Sequence, residues 1–570
     1  MLDTFQVWSE EFELCIQDLE ELEPLASLSA LEVTSQISLI SLCPAFRPAC
    51  STMRPVKACL QCRSGKRRCD RTGDLACSQC IQRNLPCSAA INSLQSAKSL
   101  PPVVSTRSSE ETIHLVDLYF RFIHDQPHSL FHQPSFKASV VAGTASQPVL
   151  LSMMGMAARF ATQPDIRSRG PVYCTQGKVA LKDDLEHICI ENIQACILVG
   201  NNFMGDCHAD VESLYFALAN RMAQMLNLGV CNEADDGITR ETKRRIFWTL
   251  FITDTWASGG SDLSRQFGWQ AKQPRVPMDE YVFSMMMPGD PDIADLEWRP
   301  GLWGHMVRLV KIYTQIQQLH RELAETDTWD EALMDASVRR LEADLDAFEQ
   351  NLDPGLTFSM ENLAAFVSQG LGSVFIAFHL GYHHYYTLLF YQYLDQRRPS
   401  TRNGKKYADR CKTHAAIICD VLKASREVPG APALYNIVGH VTIVSSSVLL
   451  HTYLFGEPHE LEDSKSRLES NLKSLVQLRS YWPSVELMIN RLVVFQKNCI
   501  RSLSRNTHRF DKWMVKFLIA HSLALEDKAD NAWPDSDASQ LGNVHFERSR
   551  VTQSMMMDIQ NSETFGGAAG

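Results

Sequence analysis

The sequence predicts a mostly α-helical chain in unequal parts: a small six-cysteine domain at residues 53–88 and a large all-α domain at 108–530, joined by a linker at 89–107. Three observations lead there. Six of the 17 cysteines fall within the stretch 58–87. Beyond residue 108, apolar residues recur three and four positions apart, while alternating β patterns are scarce. Between these regions lies a polar, small-residue stretch broken by Pro101 and Pro102, which reads as a linker. With 570 residues, 45% of them hydrophobic and 21% charged, the chain has the profile of a globular protein with several domains' worth of core.

Residues 1–52 carry nine acidic side chains against Arg47 alone, mixed with Phe5, Trp8, Phe12, Leu14, Leu19 and Leu22. Acidic activation segments have that composition, and disorder is expected. An equal alternative is that the native start is Met53, immediately before the cysteines. No basic flank, apolar run and small-residue cleavage site occur together at the N-terminus, so secretion is not expected.

The six-cysteine stretch reads "ACLQCRSGKRRCDRTGDLACSQCIQRNLPC". Cys59, Cys62 and Cys69 repeat their spacing in Cys77, Cys80 and Cys87. At ~3% cysteine per position, five further cysteines on prescribed spacings arise by chance about once in ten million or less. Disulfides are disfavoured because nothing indicates an oxidising compartment. Metal ligation accounts for the stoichiometry: a structural zinc takes four tetrahedral ligands, and thiolate suits it. Six thiolates serve two zinc ions if two sulfurs bridge both metals, one from each repeat; Cys59 and Cys77 are the expected bridges. Two zinc ions and six thiolates sum to a charge of about −2. So short a segment cannot build a sufficient core, and zinc must supply its folding free energy, about 10–16 kcal/mol per ion. With every position filled by sulfur, both ions are structural.

The net charge of −11 conceals a local reversal. Residues 53–88 hold eight basic side chains (Arg54, Lys57, Arg63, Lys66, Arg67, Arg68, Arg71 and Arg83) against Asp70 and Asp74. A basic module on an acidic protein fits a polyanion partner. Lysine and arginine neutralise phosphates and release counterions, and base-edge hydrogen bonds add sequence choice. Lys57, Arg63, Lys66, Arg67, Arg68 and Arg71 are the candidate DNA-binding residues. The run "GKRRCDR" also reads as a nuclear import signal.

On these residues the segment resembles the fungal binuclear zinc cluster DNA-binding domain. All six cysteines are in register, and Arg63, Lys66, Arg67, Arg68, Cys69 and Asp70 stand where that family carries its basic run and Asp. The resemblance implies two short helices, each beginning at a CxxC, the first placing its C-terminal end in the major groove over a CGG-type triplet. Lys66 then corresponds to the base-reading lysine, and Arg63, Arg67 and Arg68 to base or phosphate contacts. Gly65 departs from a position often basic in the family, and the loop "DRTGDLA" lacks the usual proline. Expected partners are double-stranded DNA in the nucleus and the transcription machinery or coactivators. A homodimer stays open: Ile91, Leu94 and Ala97 give only a fragment of a coiled-coil seam, so half-site spacing is not readable.

After the linker, Ser108 and Glu111 form a capping pattern that opens the first helix. Its expected buried face is Ile113, Val116, Phe120 and Ile123. "SLYFALANRMAQMLNLGV" offers Leu214, Leu218, Met222 and Met225, with Gly229 at the expected C-terminus. "ETKRRIFWTLFITDTWASGG" offers Ile246, Leu250 and Thr253 or Asp254. These segments are similar to the fungal-specific transcription factor domain, most clearly over 108–270 and thinning towards 455, with "RRIFW…D" as its signature. The similarity implies a helical regulatory module without catalytic chemistry, in which Arg245 and Asp254 are partners in structural ion pairing. Where the family continues with Gly-Arg-Pro, this chain has "GGSDLSRQFG".

Two uncharged runs, 363–394 and 428–456, are expected to be central helices rather than membrane spans, because both carry His, Ser, Gln or Gly throughout. His379 and His383 share a helical face but are expected to be core residues, as are Cys189 and Cys196. No Walker A loop, dinucleotide glycine fingerprint, nucleophile elbow or HExxH motif occurs, so no enzyme is expected. The polar stretch 531–570 reads as a disordered tail. Together these observations predict a zinc-dependent, sequence-specific regulator of RNA polymerase II genes, an activator, which could govern a metabolic or biosynthetic gene cluster. The alternative is a metal-binding interaction module that never reads DNA.

Overall fold

The computed structural model describes residues 110–562, apart from Pro127, Cys231 and the stretches 268–272, 295–296, 326–329, 396–401, 504–509 and 529–542. All belong to the second of two units into which the chain divides, Val103–Gly570. The six cysteines and the six candidate DNA contacts lie outside the described residues.

Among the described residues every regular element is helical; the β content is two isolated bridges, His124–His128 and Met278–Pro300. The first group comprises α1 (Glu110–Phe122), α2 (Gln133–Ala142), α3 (Gln147–Ala157), the short α4 (Pro164–Ser168), α5 (Gly170–Asp183), α6 (Ile190–Gly205) and α7 (Ala209–Met225). Here α3 packs on α1, α5 and α6, and α6 packs on α7. Next come α8 (Gly237–Gly260), the short α9 (Glu280–Ser284), α10 (Leu302–Glu325), α11 (Glu331–Gln350) and α12 (Met360–Ser368). The last group is α13 (Gly372–Phe390), α14 (Gly404–Glu427), α15 (Ile437–Phe455), α16 (Leu461–Arg479), α17 (Ser484–Leu503), α18 (Lys512–Ile519) and α19 (Asn543–Asn561). Successive helices pair from α13 to α17, α18 packs on α10, and α19 packs on α15, α16 and α17; α8 joins the two halves by packing on both α7 and α10. One hydrophobic core runs from Leu115 on α1 to Ile559 on α19.

The long uncharged runs are the centre of that core. Every residue of α13 is buried except Ala377. Helix α15 is long and apolar enough to cross a membrane, yet 94% of its apolar window is covered by protein. A helix apolar on all sides is what a large helical core requires of its middle elements. The serines and threonines of α15 are absorbed locally: Thr442 and Thr452 donate to the carbonyls of Val438 and Val448, and Ser445 to that of Ala415 on α14.

Three expectations need correction. On α1 the buried face is Leu115, Val116, Leu118, Tyr119 and Ile123, while Ile113 is 41% exposed. On α7, Leu214 and Met225 are 57% and 60% exposed. The aromatic pair Tyr215 and Phe216 turns the helix so that they, Ala219, Met222 and Ala223 face inward together with polar Glu212 and Asn220. That helix ends at Met225 and its exit is turned by Asn227 at φ +49°, not by Gly229. The expected disordered tail contains α19, whose Met555, Met556 and Ile559 are buried and whose Thr552 hydroxyl accepts from the Gln496 amide at 3.2 Å. The polar stretch that precedes these residues hid that helix. The face Ile246, Leu250, Thr253 and Asp254 is buried as expected, although α8 is buried nearly all round.

Backbones approach closely where α3 meets α5. A Cβ on Gly155 would lie 2.9 Å from the Cys174 backbone nitrogen, and one on Gly177 2.8 Å from that of Ser152. Neither backbone can swing aside as a side chain could. Gly155→Ala and Gly177→Ala are each expected to destabilise the helical domain by about 1–3 kcal/mol, read by urea unfolding. An unchanged midpoint in both would mean the two helices do not meet at these glycines.

Candidate functional site

Helix α8 carries the densest charge network described. The stretch Arg244-Arg245-Ile246-Phe247-Trp248 starts two turns inside it, behind an Asp236 N-cap whose carboxylate accepts from the Thr239 amide at 2.9 Å. Arg245 is fully buried. Its guanidinium donates to Glu241 Oε1 (3.0 Å), Ser129 Oγ (2.9 Å) and the Met278 carbonyl (2.8 Å), and sits 4.6 Å over the Phe283 ring. Asp125 and Glu280 lie 3.6 and 3.8 Å away. Burial pushes its pKa down, but Glu241, Asp125 and Glu280 outweigh this, so it stays charged. Glu280 in turn accepts from the amides of Leu302 (2.8 Å) and Trp303 (3.0 Å), capping α10. Beside it, Arg244 grips Asp292 with both arms and Arg275 holds the same carboxylate at 2.8 Å.

Asp254 plays a different part from the one expected. It takes the backbone amides of Gln266 (3.0 Å) and Phe267 (3.1 Å), folding the "GGSDLSRQF" exit back onto α8. Among the described residues it has no ion-pair partner within 4 Å. A carboxylate can satisfy a turn's backbone amides as readily as a cation, and spacing alone does not separate the two.

Further along α8 a cavity opens between α6, α7, α8, α10, α13 and α15. It leaves about 100 Å3 open to the centre of a water-sized molecule. Aromatic walls come from Trp256, Trp303 and Tyr385. Ala377, the one incompletely buried residue of α13, faces it. At its polar end Tyr435 donates to Asn201 Oδ1 at 2.7 Å, and the Asn201 amide bonds the Ile197 carbonyl (2.9 Å) and His128 Nδ1 (3.2 Å). Glu212, only 1% exposed, has no hydrogen-bond partner on Oε2; Gln126 Oε1 is likewise unpartnered. Burial alone pushes the Glu212 carboxyl up to about 8. Around Trp256 stand His384, His440 and His521, with ring centroids 5.7, 6.3 and 5.9 Å from it. Burial holds all three well below the usual histidine range, His384 and His521 at about 3.

None of these groups stood out in the sequence. Glu212 looks like an acid in a helix's first turn, and the three histidines come from segments far apart. His379 and His383 are buried as expected: His379 Nε2 meets the Leu356 carbonyl at 3.0 Å, and His383 Nδ1 faces His414 Nδ1 at 2.9 Å. Cys196 is buried, whereas Cys189 is a half-buried N-cap. Burial pushes the Cys174 and Cys196 thiols up to about 12, so neither offers a thiolate. Among the described residues Asp184, His187 and Cys189 bring ligand atoms within 4.8 Å of one another at the surface, where the Asn192 amide already bonds Asp184 Oδ2 at 2.9 Å. The six cysteines at 59–87 differ from these in kind: all are soft donors at repeated spacing, which suits zinc.

Two measurements follow from the buried charges. Replacing Arg245 with Met leaves Glu280 buried without its cation and Glu241 with Arg244 alone, an expected loss of about 3–5 kcal/mol; an unchanged urea midpoint would show the network contributes nothing. For Glu212 the folded state keeps a proton that the unfolded chain releases near pH 4.5, so stability falls as pH rises from there through about 8. Glu212→Gln is expected to match the parent at pH 5 and to exceed it at pH 9 by on the order of 3 kcal/mol. Equal midpoints at pH 9 would mean the carboxyl is not desolvated.

The chain matches known families in two places. The fungal Zn(2)-Cys(6) binuclear cluster domain matches residues 57–96, and the fungal specific transcription factor domain matches 116–344. The chain is 23% identical over 431 residues to the Zn(2)-C6 fungal-type transcription factor FTF1c of Fusarium oxysporum f. sp. lycopersici, covering 68% of this chain and 46% of that protein. It is 22% identical over 446 residues to FTF2 of the same fungus, covering 71% and 41%. To an uncharacterized transcriptional regulatory protein of Schizosaccharomyces pombe it is 25% identical over 348 residues, covering 52% and 35%. It thus spans less than half the length of these relatives. No solved structure matches. With all six paired-spacing cysteines inside one match and the buried arginine network of α8 inside the other, the chain carries a fungal Zn(2)-Cys(6) binuclear cluster domain followed by a large helical domain that matches the fungal specific transcription factor domain, and it is similar to fungal-type Zn(2)-C6 transcription factors.

Proposed function

We propose that this chain is a nuclear, sequence-specific DNA-binding regulator of RNA polymerase II genes, an activator whose helical domain controls its output without catalysis. The observation that carries the reading is the register of Cys59, Cys62, Cys69, Cys77, Cys80 and Cys87 within the cluster match, with the basic run 63–71 between its ligands. Two zinc ions, shared through Cys59 and Cys77, would fix the backbone and hold the cationic side chains on one rigid surface. Zinc supplies folding free energy there, not chemistry.

Within that surface, Lys66 reads base edges of a CGG-type triplet, and Lys57, Arg63, Arg67, Arg68 and Arg71 supply further base or phosphate contacts. Residues 1–52 combine acids with bulky apolar side chains, which supports recruitment of coactivators. A metabolic or biosynthetic gene cluster is the proposed target. A second copy of the chain would set half-site spacing, though the short seam at Ile91, Leu94 and Ala97 does not define one.

The test is a gel-shift with the zinc-loaded full chain and a CGG-containing duplex. Binding is expected to vanish with a zinc chelator and to return with zinc. Lys66→Ala should weaken the specific site by roughly ten- to a hundredfold while leaving non-specific binding nearly intact. Chelator-resistant binding, or equal affinity of the variant, would refute direct reading by the cluster.

A further inference from the structure

The cavity beside α8 presents an unusual chemical demand. Most of its wall is apolar or aromatic, but two of its polar atoms, Glu212 Oε2 and Gln126 Oε1, are acceptors with nothing to accept from. Asn201 and Tyr435, next to them on the lining, already satisfy each other. A buried acceptor without a donor costs on the order of 1–3 kcal/mol, more when it is charged. Water could meet that demand only in part, because a solvent-sized donor leaves the aromatic wall uncovered. What satisfies both is a molecule that donates at one end and is apolar at the other.

We propose that the cavity is a binding site for a small organic amine, its ammonium group set on Glu212 and Gln126 and its apolar body against Trp256, Trp303 and Tyr385. Three features support an amine over other ligands. The lining holds no arginine or lysine, so a carboxylate or phosphate would meet no counter-charge there. Glu212 has no competing cation: among the described residues no ion pair reaches it. The aromatic walls take the ligand's apolar body, which an inorganic cation lacks. Proton balance closes within the site: a neutral amine takes the proton from Glu212 to form the carboxylate–ammonium pair, and a protonated amine displaces that proton to solvent. A water needs about 10–15 Å3 on this measure and benzene occupies a cavity of about 150 Å3, so a single ring or a short branched chain is the size class. Trp303 Nε1 and His521 Nε2 also lack partners, and a hydroxyl on the same ligand would satisfy them.

Binding to the cavity stands independently of DNA recognition; only its meaning as an effector signal rests on the function proposed above. A ligand that favours one packing of α7, α8 and α13 stabilises that state by its affinity for it.

Calorimetric titration of the zinc-loaded full chain with benzylamine, benzyl alcohol, toluene and benzoate tests the proposal. Benzylamine is expected to bind roughly ten- to a hundredfold more tightly than toluene or benzyl alcohol, and benzoate not at all. Glu212→Gln, which keeps the shape, should remove that advantage while leaving toluene unchanged. Ala257→Leu, which fills the cavity, should abolish binding of all three; helical ellipticity and the urea midpoint show whether each variant is folded. Equal binding of toluene and benzylamine, an unaffected Glu212→Gln variant, or no binding of benzylamine at millimolar concentration would each overturn the proposal. A gel-shift on the same preparation reports DNA binding separately, so failure of one reading is not mistaken for failure of the other.

Discussion

A single buried guanidinium organises the described domain. Arg245 links α8 to the loop after α1 through Ser129, to the segment before α9 through the Met278 carbonyl, and to its own helix through Glu241. Through its neighbour Glu280 the network extends to the N-terminus of α10, where Trp303 begins a wall of the cavity. These are strands of chain that hydrophobic contact alone would let slide. A planar five-donor fork among oriented acceptors admits one arrangement only, which is why arginine and not lysine suits the position. Such a network specifies geometry more than it adds stability, since its desolvation offsets much of its attraction.

How much of this was visible in the sequence depends on the kind of signal. The cluster domain was legible because six cysteines at a repeated spacing mark it with no need to know the surrounding fold. Helices α13 and α15 were legible because a run apolar on every side has nowhere to go but the interior. The faces of α1 and α7 differ from the expected ones because Tyr119 and Tyr215, which those faces leave out, bury more area than Ile113 or Leu214 and win the rotation. The cavity could not be read at all. Its polar end joins Gln126, Asn201, Glu212 and Tyr435, positions spread over 300 residues whose meeting is a product of topology. Helix α19 escaped for another reason, since its buried Met555, Met556 and Ile559 follow a stretch too polar to suggest packing.

The two parts of the chain are built on opposite principles. The cluster segment has few apolar side chains and many basic ones, and in the proposed reading metal ligation stands in for the core it lacks. The helical domain draws on a large core and carries the acidic balance. Putting basic charge on the small module and acid elsewhere raises local attraction for a polyanion while the whole molecule keeps a solubilising net charge of −11. A uniformly basic protein of this size would bind nucleic acid along its whole surface and lose discrimination.

The buried carboxylates of α7, α8 and α9 show the same chemistry resolved in different ways. Glu241 faces two arginines and the Met278 amide. Glu280 has two backbone amides and the Arg245 charge at 3.8 Å, and burial still lifts it to about 7. Glu212 has neither amide nor cation, and it sits at about 8. In each case desolvation raises the pKa, and the partners decide how much of the rise remains. The domain therefore meets the cost of a buried acid wherever the acid positions another element. It leaves that cost unmet at Glu212, the only one of the three whose side chain opens onto empty space. A glutamine or leucine there would pack at lower cost, so the carboxyl is explained by what enters the cavity and not by the helices around it.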